Sequence, residues 1–304
     1  MIISRLNGGT GNQMFQYALG RHLSLKNDTE LKLDLSRLLD RTPWPGRVVF
    51  RDYELNVFHV RAGFARPSEV QKFVEPSQEN RKLTYRLIRK FKSEMGIRTE
   101  PKFSDRVVKE PGFTPFKQDI LSTPDNSMLI GFWQSEKYFL DVEETIRKDF
   151  AFNFELDYES KEMLRTIEST NSVCVFVRRK EFVGQPMYDT CDAGYFHRGM
   201  LRMGQEIRDP HFFIFSDDLE WCENNLRTEY PFTLVSHKYA GNQYEYYFRL
   251  MSSCEHFVIA NSTYGWWAAW LSKNASKIVI APKKWFGDES RDTRDLVPAA
   301  WMRI

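Results

Sequence analysis

The sequence predicts an α/β protein built as two domains around a cleft. Three observations carry that expectation. Its 304 residues are about twice the length of an ordinary domain. Short apolar runs alternate with helix-length segments, most regularly after Phe154. The residues that follow those runs are small, polar or cationic, as the carboxyl ends of parallel strands are when they face a ligand. The boundary is expected near residue 155, dividing the chain into 1–155 and 156–304.

In chain order, Ile2, Ile3 and Leu6 form a short strand, and Gly8, Gly9 and Gly11 make a turn. A helix follows from about Asn12 to Leu25, with Met14, Tyr17, Ala18, Arg21 and Leu25 near one face. Leu31 to Leu35 is a second strand. Eight prolines interrupt the stretch from Arg41 to Asn126, where one amphipathic helix is expected over Arg81 to Arg98, its apolar stripe surrounded by arginines and lysines. In the second half, helices are expected at Ser160–Ser169, Leu219–Leu226, Tyr244–Ser253 and Thr263–Leu271. Strands are expected at Ser172–Val177, His211–Phe215, Thr233–Val235, His256–Ala260 and Lys277–Ala281. Such alternation requires a parallel sheet covered on both faces.

Composition narrows the function. Forty-three Lys and Arg against forty-one Asp and Glu leave +2, too little field for a nucleic-acid partner. Aromatic content, at 15%, is the largest departure from the ordinary. Cys174, Cys191, Cys222 and Cys254 have no metal-ligand spacing and read as buried thiols of a reducing compartment. The start of the chain has no apolar signal core, and no run approaches the ~18 apolar residues of a membrane span. The expected location is therefore cytoplasmic. For Arg81–Arg98 two readings stand, a solvated face or a peripheral contact with the inner face of a membrane.

Four strand ends carry the chemistry. Arg178 and Arg179 leave the Cys174 strand and can fork-bind a phosphate or carboxylate, or form surface salt bridges. The loop after them holds Glu181 and Asp189, each a salt-bridge partner or a catalytic base. Asn261, Ser262 and Thr263 precede a helix whose free N–H groups suit an anion, with plain helix capping as the simpler reading. Trp266, Trp267 and Trp270 read as packing. Ser216 and Asp217 either meet a ribose or base N–H or, with Asp218, cap the Leu219 helix. Gly8, Gly9 and Gly11 allow backbone to approach a ligand but do not form the dinucleotide G-x-G-x-x-G. The H-E-x-x-H and G-x-x-x-x-G-K-[ST] motifs are absent.

Five segments resemble a known family. G-G-T-G-N-Q-M-F-Q-Y-A (Gly8 to Ala18), G-F-W-Q-S-E-K-Y-F (Gly131 to Phe139) and F-S-D-D-L-E-W-C (Phe215 to Cys222) are similar to motifs of bacterial α-1,2-fucosyltransferases, glycosyltransferase family 11. So are the run from Leu250 to Leu271 and I-V-I-A-P-K-K-W-F (Ile278 to Phe286), in family order. The resemblance implies a GT-B-like fold of two Rossmann-like domains, the N-terminal on the acceptor side and the C-terminal binding the nucleotide sugar. It implies inverting, metal-independent transfer of L-fucose from GDP-β-L-fucose to the 2-hydroxyl of a galactoside in a cell-surface glycan. The acceptor would be an oligosaccharide or lipid-linked saccharide. No cofactor and no metal ligands are expected, and the D-x-D common in metal-dependent nucleotide-sugar transferases does not occur.

One motif departs from the family. H-x-R-R-x-D reads Phe176-Val177-Arg178-Arg179-Lys180-Glu181 here. The expected diphosphate ligands are Arg178 and Arg179, assisted by Ser262 and Thr263. Glu181 is the expected base with Asp189 in reserve, and Ser216, Asp217, Asn261, Gly9, Asn12 and Gln13 complete the donor site. Phe176 cannot hydrogen-bond through its side chain, which leaves open another nucleotide-deoxysugar donor or a non-catalytic carbohydrate-binding relic.

Overall fold

A computed structural model describes residues 1–42, 49–73, 104–112 and 115–304. The segment Arg81–Arg98, and with it the membrane-contact reading, lies outside the described residues. Two fully parallel sheets form the two halves. The first is built from β1 (Ile2–Arg5), β2 (Leu31–Asp34), β3 (Gly63–Phe64), β4 (Val107–Lys109) and β5 (Ser127–Ile130), in the order β3-β2-β1-β5-β4. The second uses β6 (Asn171–Val177), β7 (Pro210–Ser216), β8 (Phe232–Leu234), β9 (His256–Ile259), β10 (Val279–Ala281) and β11 (Met302–Arg303). Its order is β11-β10-β9-β6-β7-β8, a doubly wound Rossmann arrangement. Residue 155 lies in the chain between the two sheets.

Helix α1 runs from Thr10 to Lys26, two residues earlier than the periodicity indicates, because Gly9 in extended conformation forms its N-cap. The Thr263–Leu271 helix has the expected bounds, with the Ser262 side chain accepting from Tyr264 N–H. The long helix Ala193–Glu206, with three glycines, is not among the elements expected from the sequence. Gly199 is there for packing: a Cβ on it would lie 2.6 Å from Val258 Cγ1 on the sheet beneath. Asp192 caps this helix by accepting from Tyr195 N–H at 2.7 Å.

The halves share one apolar core. Phe15 of α1 sits 4.6 Å and 4.9 Å, ring centre to ring centre, from Trp266 and Trp267. Phe139 stacks on Trp267 at 5.2 Å. Pairs of this kind are worth about 0.5–1.5 kcal/mol each beyond their buried area. The tryptophan run is thus packing, and it is the seam between the halves. Trp267 Nε1 donates to the Gly11 carbonyl at 3.0 Å and Trp266 Nε1 to the Leu296 carbonyl at 2.8 Å, so both buried indoles are satisfied. All four cysteines are buried free thiols. No helix among the described residues is long and apolar enough to cross a membrane.

Two histidines inside this frame are held below their ordinary pKa. His256, at the start of β9, accepts the Ile278 N–H through Nδ1 at 3.0 Å, and burial holds its pKa below the ordinary 6.5. The unfolded chain then binds a proton that the native ring resists, so stability falls as pH drops below about 6.5. His211 acts in the same direction through burial alone. The melting temperature is therefore expected to fall between about pH 7.5 and 5.5, with a shallower slope in His256→Asn, whose amide oxygen still accepts the N–H. Parallel pH profiles for the two proteins would remove His256 from this account.

Candidate active site

Parallel strands end where the chain must turn, and a doubly wound sheet leaves a crevice where its strand order reverses. In the second sheet that point is between β6 and β9, which places Arg178 beside Asn261, Ser262 and Thr263. In the first sheet it is between β1 and β5, which places Gly8–Asn12 beside Phe132 and Gln134. Both sets face one cleft with a cavity volume of about 750 Å³, within the range of small-molecule sites.

Arg178 is the cation at the centre. Its Nη1 is 3.0 Å from Asp217 Oδ2, and its Nη2 donates to Glu181 Oε2 at 2.6 Å. Asp217 also accepts the backbone N–H groups of Arg179 at 2.8 Å and Lys180 at 3.2 Å, which fixes the turn that presents Arg178. Ser216 lines the cleft, and its hydroxyl accepts from Asp218 N–H at 2.9 Å. Asp218 in turn caps the Leu219–Asn225 helix. The capping reading of the Ser-Asp-Asp run therefore holds for Asp218, while Ser216 and Asp217 border the cleft.

Three expected site residues, Arg179, Asp189 and Gln13, do not line the cleft. Arg179 turns away from the cleft: its guanidinium lies 3.9 Å over the Trp221 ring and its Nε is 3.6 Å from Asp218. Asp189 is exposed and accepts from Gly184 N–H at 3.0 Å, closing its own loop. Gln13 is fully buried, donating to the carbonyls of Gly8 and Asp52 and accepting from Glu54 N–H. It is a pin between loops. Asn261 borders the cleft, but its amide nitrogen donates to the carbonyls of Tyr188 and Trp285, both at 2.9 Å. That amide holds loops together.

Glu181 does line the cleft, held between two guanidiniums. Arg51 Nη2 reaches both its oxygens at 2.7 Å, and Arg178 takes Oε2. The carboxylate is thus taken up in ion pairs from both halves, which is the salt-bridge reading of the sequence.

Where the halves touch, Asn12 Oδ1 accepts from Thr263 Oγ1 at 3.1 Å and from Gln134 Nε2 at 2.9 Å. Gly9, Asn12, Ser262 and Thr263 all border the cleft. Phe176 is only 6% exposed, yet it borders the cleft too, its ring 5.7 Å from that of Tyr264. Burial pushes the Tyr264 phenol well above its ordinary pKa, and its hydroxyl donates to the Tyr244 carbonyl at 2.5 Å. Tyr244 has φ of +63°, a conformation costly for a side-chain-bearing residue, and it too borders the cleft.

Sequence reasoning did not find Arg51, Glu54 or Tyr244. Glu54 accepts from Thr10 through both its N–H (2.7 Å) and its hydroxyl, securing the first turn of α1. Among the described residues no group of three or more His, Cys, Asp and Glu could hold a metal ion.

Two Rossmann-like halves of GT-B-like arrangement, with a guanidinium and a helix start at the switch point, define a transferase of nucleotide-activated groups as the class to test. The chain belongs to glycosyltransferase family 11, whose family model matches residues 113–304, and it is a glycosyltransferase. It is 33% identical to an Escherichia coli protein named alpha-1,2-colitosyltransferase, covering 100% of this chain and 99% of that one. It is 27% identical to the Escherichia coli O-antigen biosynthesis glycosyltransferase WbnK, over the whole of both chains. Among solved structures, the fucosyltransferase NodZ from Bradyrhizobium aligns with a TM-score of 0.45 and 12% identity, covering 89% of this chain and 92% of that one.

Proposed function

We propose that this chain transfers L-fucose from GDP-β-L-fucose to the 2-hydroxyl of a galactoside in a cell-surface glycan, with inversion and without a divalent ion. The observation that carries the reading is Arg178 at the end of β6, held by Asp217 beside the start of the Thr263–Leu271 helix. Breaking the bond between the anomeric carbon and the diphosphate develops negative charge on phosphate oxygen. A fixed guanidinium and helix-start N–H groups in a cleft offset that charge without reorganising. The acceptor hydroxyl attacks the anomeric carbon from the opposite face, giving an α-1,2 linkage. The acceptor lies against the N-terminal half, whose strand ends form the facing wall.

Two observations favour a second donor. Phe176 presents an apolar ring at the cleft beside Arg178, and the relative at 33% identity is named a colitosyltransferase. A colitosyl donor uses the same cradle and the same displacement. Thermal shift with GDP, UDP and dTDP tests the nucleotide: a ligand at a hundred times its Kd stabilises by about 2.7 kcal/mol. GDP is expected to shift the melt, and a shift by UDP or dTDP alone would overturn the reading. A mass-spectrometric transfer assay with GDP-fucose and a colitosyl donor on lactose-like acceptors, in EDTA, then separates the sugars and tests metal independence.

A further inference from the structure

Arg51 lies 130 positions from Glu181 in sequence, yet its guanidinium meets that carboxylate inside the cleft. The same carboxylate takes Arg178 at 2.6 Å, so one anion bridges a guanidinium from each half. Arg51 also runs along the start of α1: a Cβ built on Gly9 would lie 3.7 Å from Arg51 Nε. Its main chain is anchored by Arg41, whose Nη1 donates to the Arg51 carbonyl at 3.0 Å. Side-chain exposures of 31%, 30% and 23% for Arg51, Glu181 and Arg178 leave this triad within reach of a ligand.

The charge balance shows why this matters. Three cations, Arg51, Arg178 and Lys180, line the cleft against four carboxylates, Asp52, Glu54, Glu181 and Asp217. Such a cleft is a poor place for a diphosphate as it stands. Glu54 is committed to Thr10 and Asp217 to the β6 turn, so neither can leave without loosening backbone. Asp52 pairs with Arg41. Glu181 alone of the four is bonded only to the two side chains an incoming anion would want, among the contacts described.

We infer that Glu181 holds the place of the donor's diphosphate, and that the diphosphate displaces it to bridge Arg51 and Arg178. Arg51 is then a donor-binding residue supplied by the N-terminal half. A diphosphate offers more acceptor oxygens than a carboxylate to two guanidinium forks, so the exchange favours the ligand. The bridge between the halves persists through it, with ligand in place of side chain. This inference rests on the nucleotide-sugar reading above.

The test is GDP binding by titration calorimetry in the wild type, Arg51→Gln, Arg51→Lys and Glu181→Gln. Arg51→Gln is expected to weaken GDP about 10- to 100-fold, the loss typical of a charge-assisted contact. Arg51→Lys, which keeps the cation but loses the fork, falls between. Glu181→Gln, which removes the competing anion, is expected to bind GDP at least as tightly as the wild type. A mere strut between the halves would give both positions losses of the same sign. The inference is overturned if Arg51→Gln binds GDP within twofold of the wild type, or if Glu181→Gln weakens GDP as Arg51→Gln does. Failure of the wild type to bind GDP, UDP or dTDP would instead overturn the nucleotide-sugar reading and the inference with it.

Discussion

Arg178→Ala is expected to lower kcat/KM for donor transfer by about 10²- to 10³-fold, the cost of removing one preorganised donor from a developing oxyanion. The chain should remain folded, because the Arg178 side chain is 23% exposed and its loss opens no cavity in the core. The comparison that gives the result meaning is Arg179→Ala. That side chain stacks over Trp221 at 3.9 Å and faces Asp218, outside the cleft. Its removal should lower the melting temperature and leave transfer by the folded fraction within a few-fold. Equal losses of turnover in the two variants, with equal melts, would show that Arg178 has no privileged place at the phosphate. Near-normal transfer by Arg178→Ala would remove the cradle, and the reaction would need another source of positive charge.

The divergence of these two neighbours was open to the sequence. Successive side chains along a strand point to opposite faces, so adjacent residues at a strand exit rarely serve one site. Reading Arg178 and Arg179 as a joint clamp overlooked that alternation. The strands of the second half were legible because buried parallel strands are nearly pure apolar runs, as in Val173 to Val177. The ends of those strands could then be read off directly, which located Arg178, Ser262 and Thr263. The Ala193–Glu206 helix was not legible, because small residues that let a helix approach a sheet look like turn residues in one dimension. Arg51 carried no local signal at all. It lies outside any strand or helix, past a proline-rich stretch, and acquires meaning only through a partner on the other half. Glu181 was read as a salt-bridge partner or a base, and the structure shows it in ion pairs at the cleft, but no spacing rule shows that a carboxylate will be held between two guanidiniums from different halves.

The seam between the halves makes the second large prediction, and it concerns a residue without a side chain. Gly11 lies in the first turn of α1, where it meets the start of the Thr263–Leu271 helix. A Cβ at this position would sit 2.4 Å from the Thr263 carbonyl carbon and 2.6 Å from its oxygen. Those are backbone atoms of a helix pinned by Phe15, Trp266 and Trp267, and they cannot rotate aside as a surface side chain would. Helix propensity alone favours alanine over glycine by up to about 1 kcal/mol. Overpacking opposes it by about 1–3 kcal/mol, and here it should win. At about 2–4 °C per kcal/mol for a domain of this size, Gly11→Ala is expected to melt several degrees below the wild type. The effect on catalysis should exceed the effect on folding. The clash pushes apart the two helix starts that border the cleft, and a displacement of about 1 Å at a reacting pair can cost 10²-fold. Gly63→Ala is the control, since the nearest atom to a Cβ there is 3.9 Å away and the position is exposed. It should change neither melt nor transfer. If Gly11→Ala melts at or above the wild type and transfers donor normally, the halves are not held in register by this contact, and the cleft geometry must be set by the remaining aromatic seam.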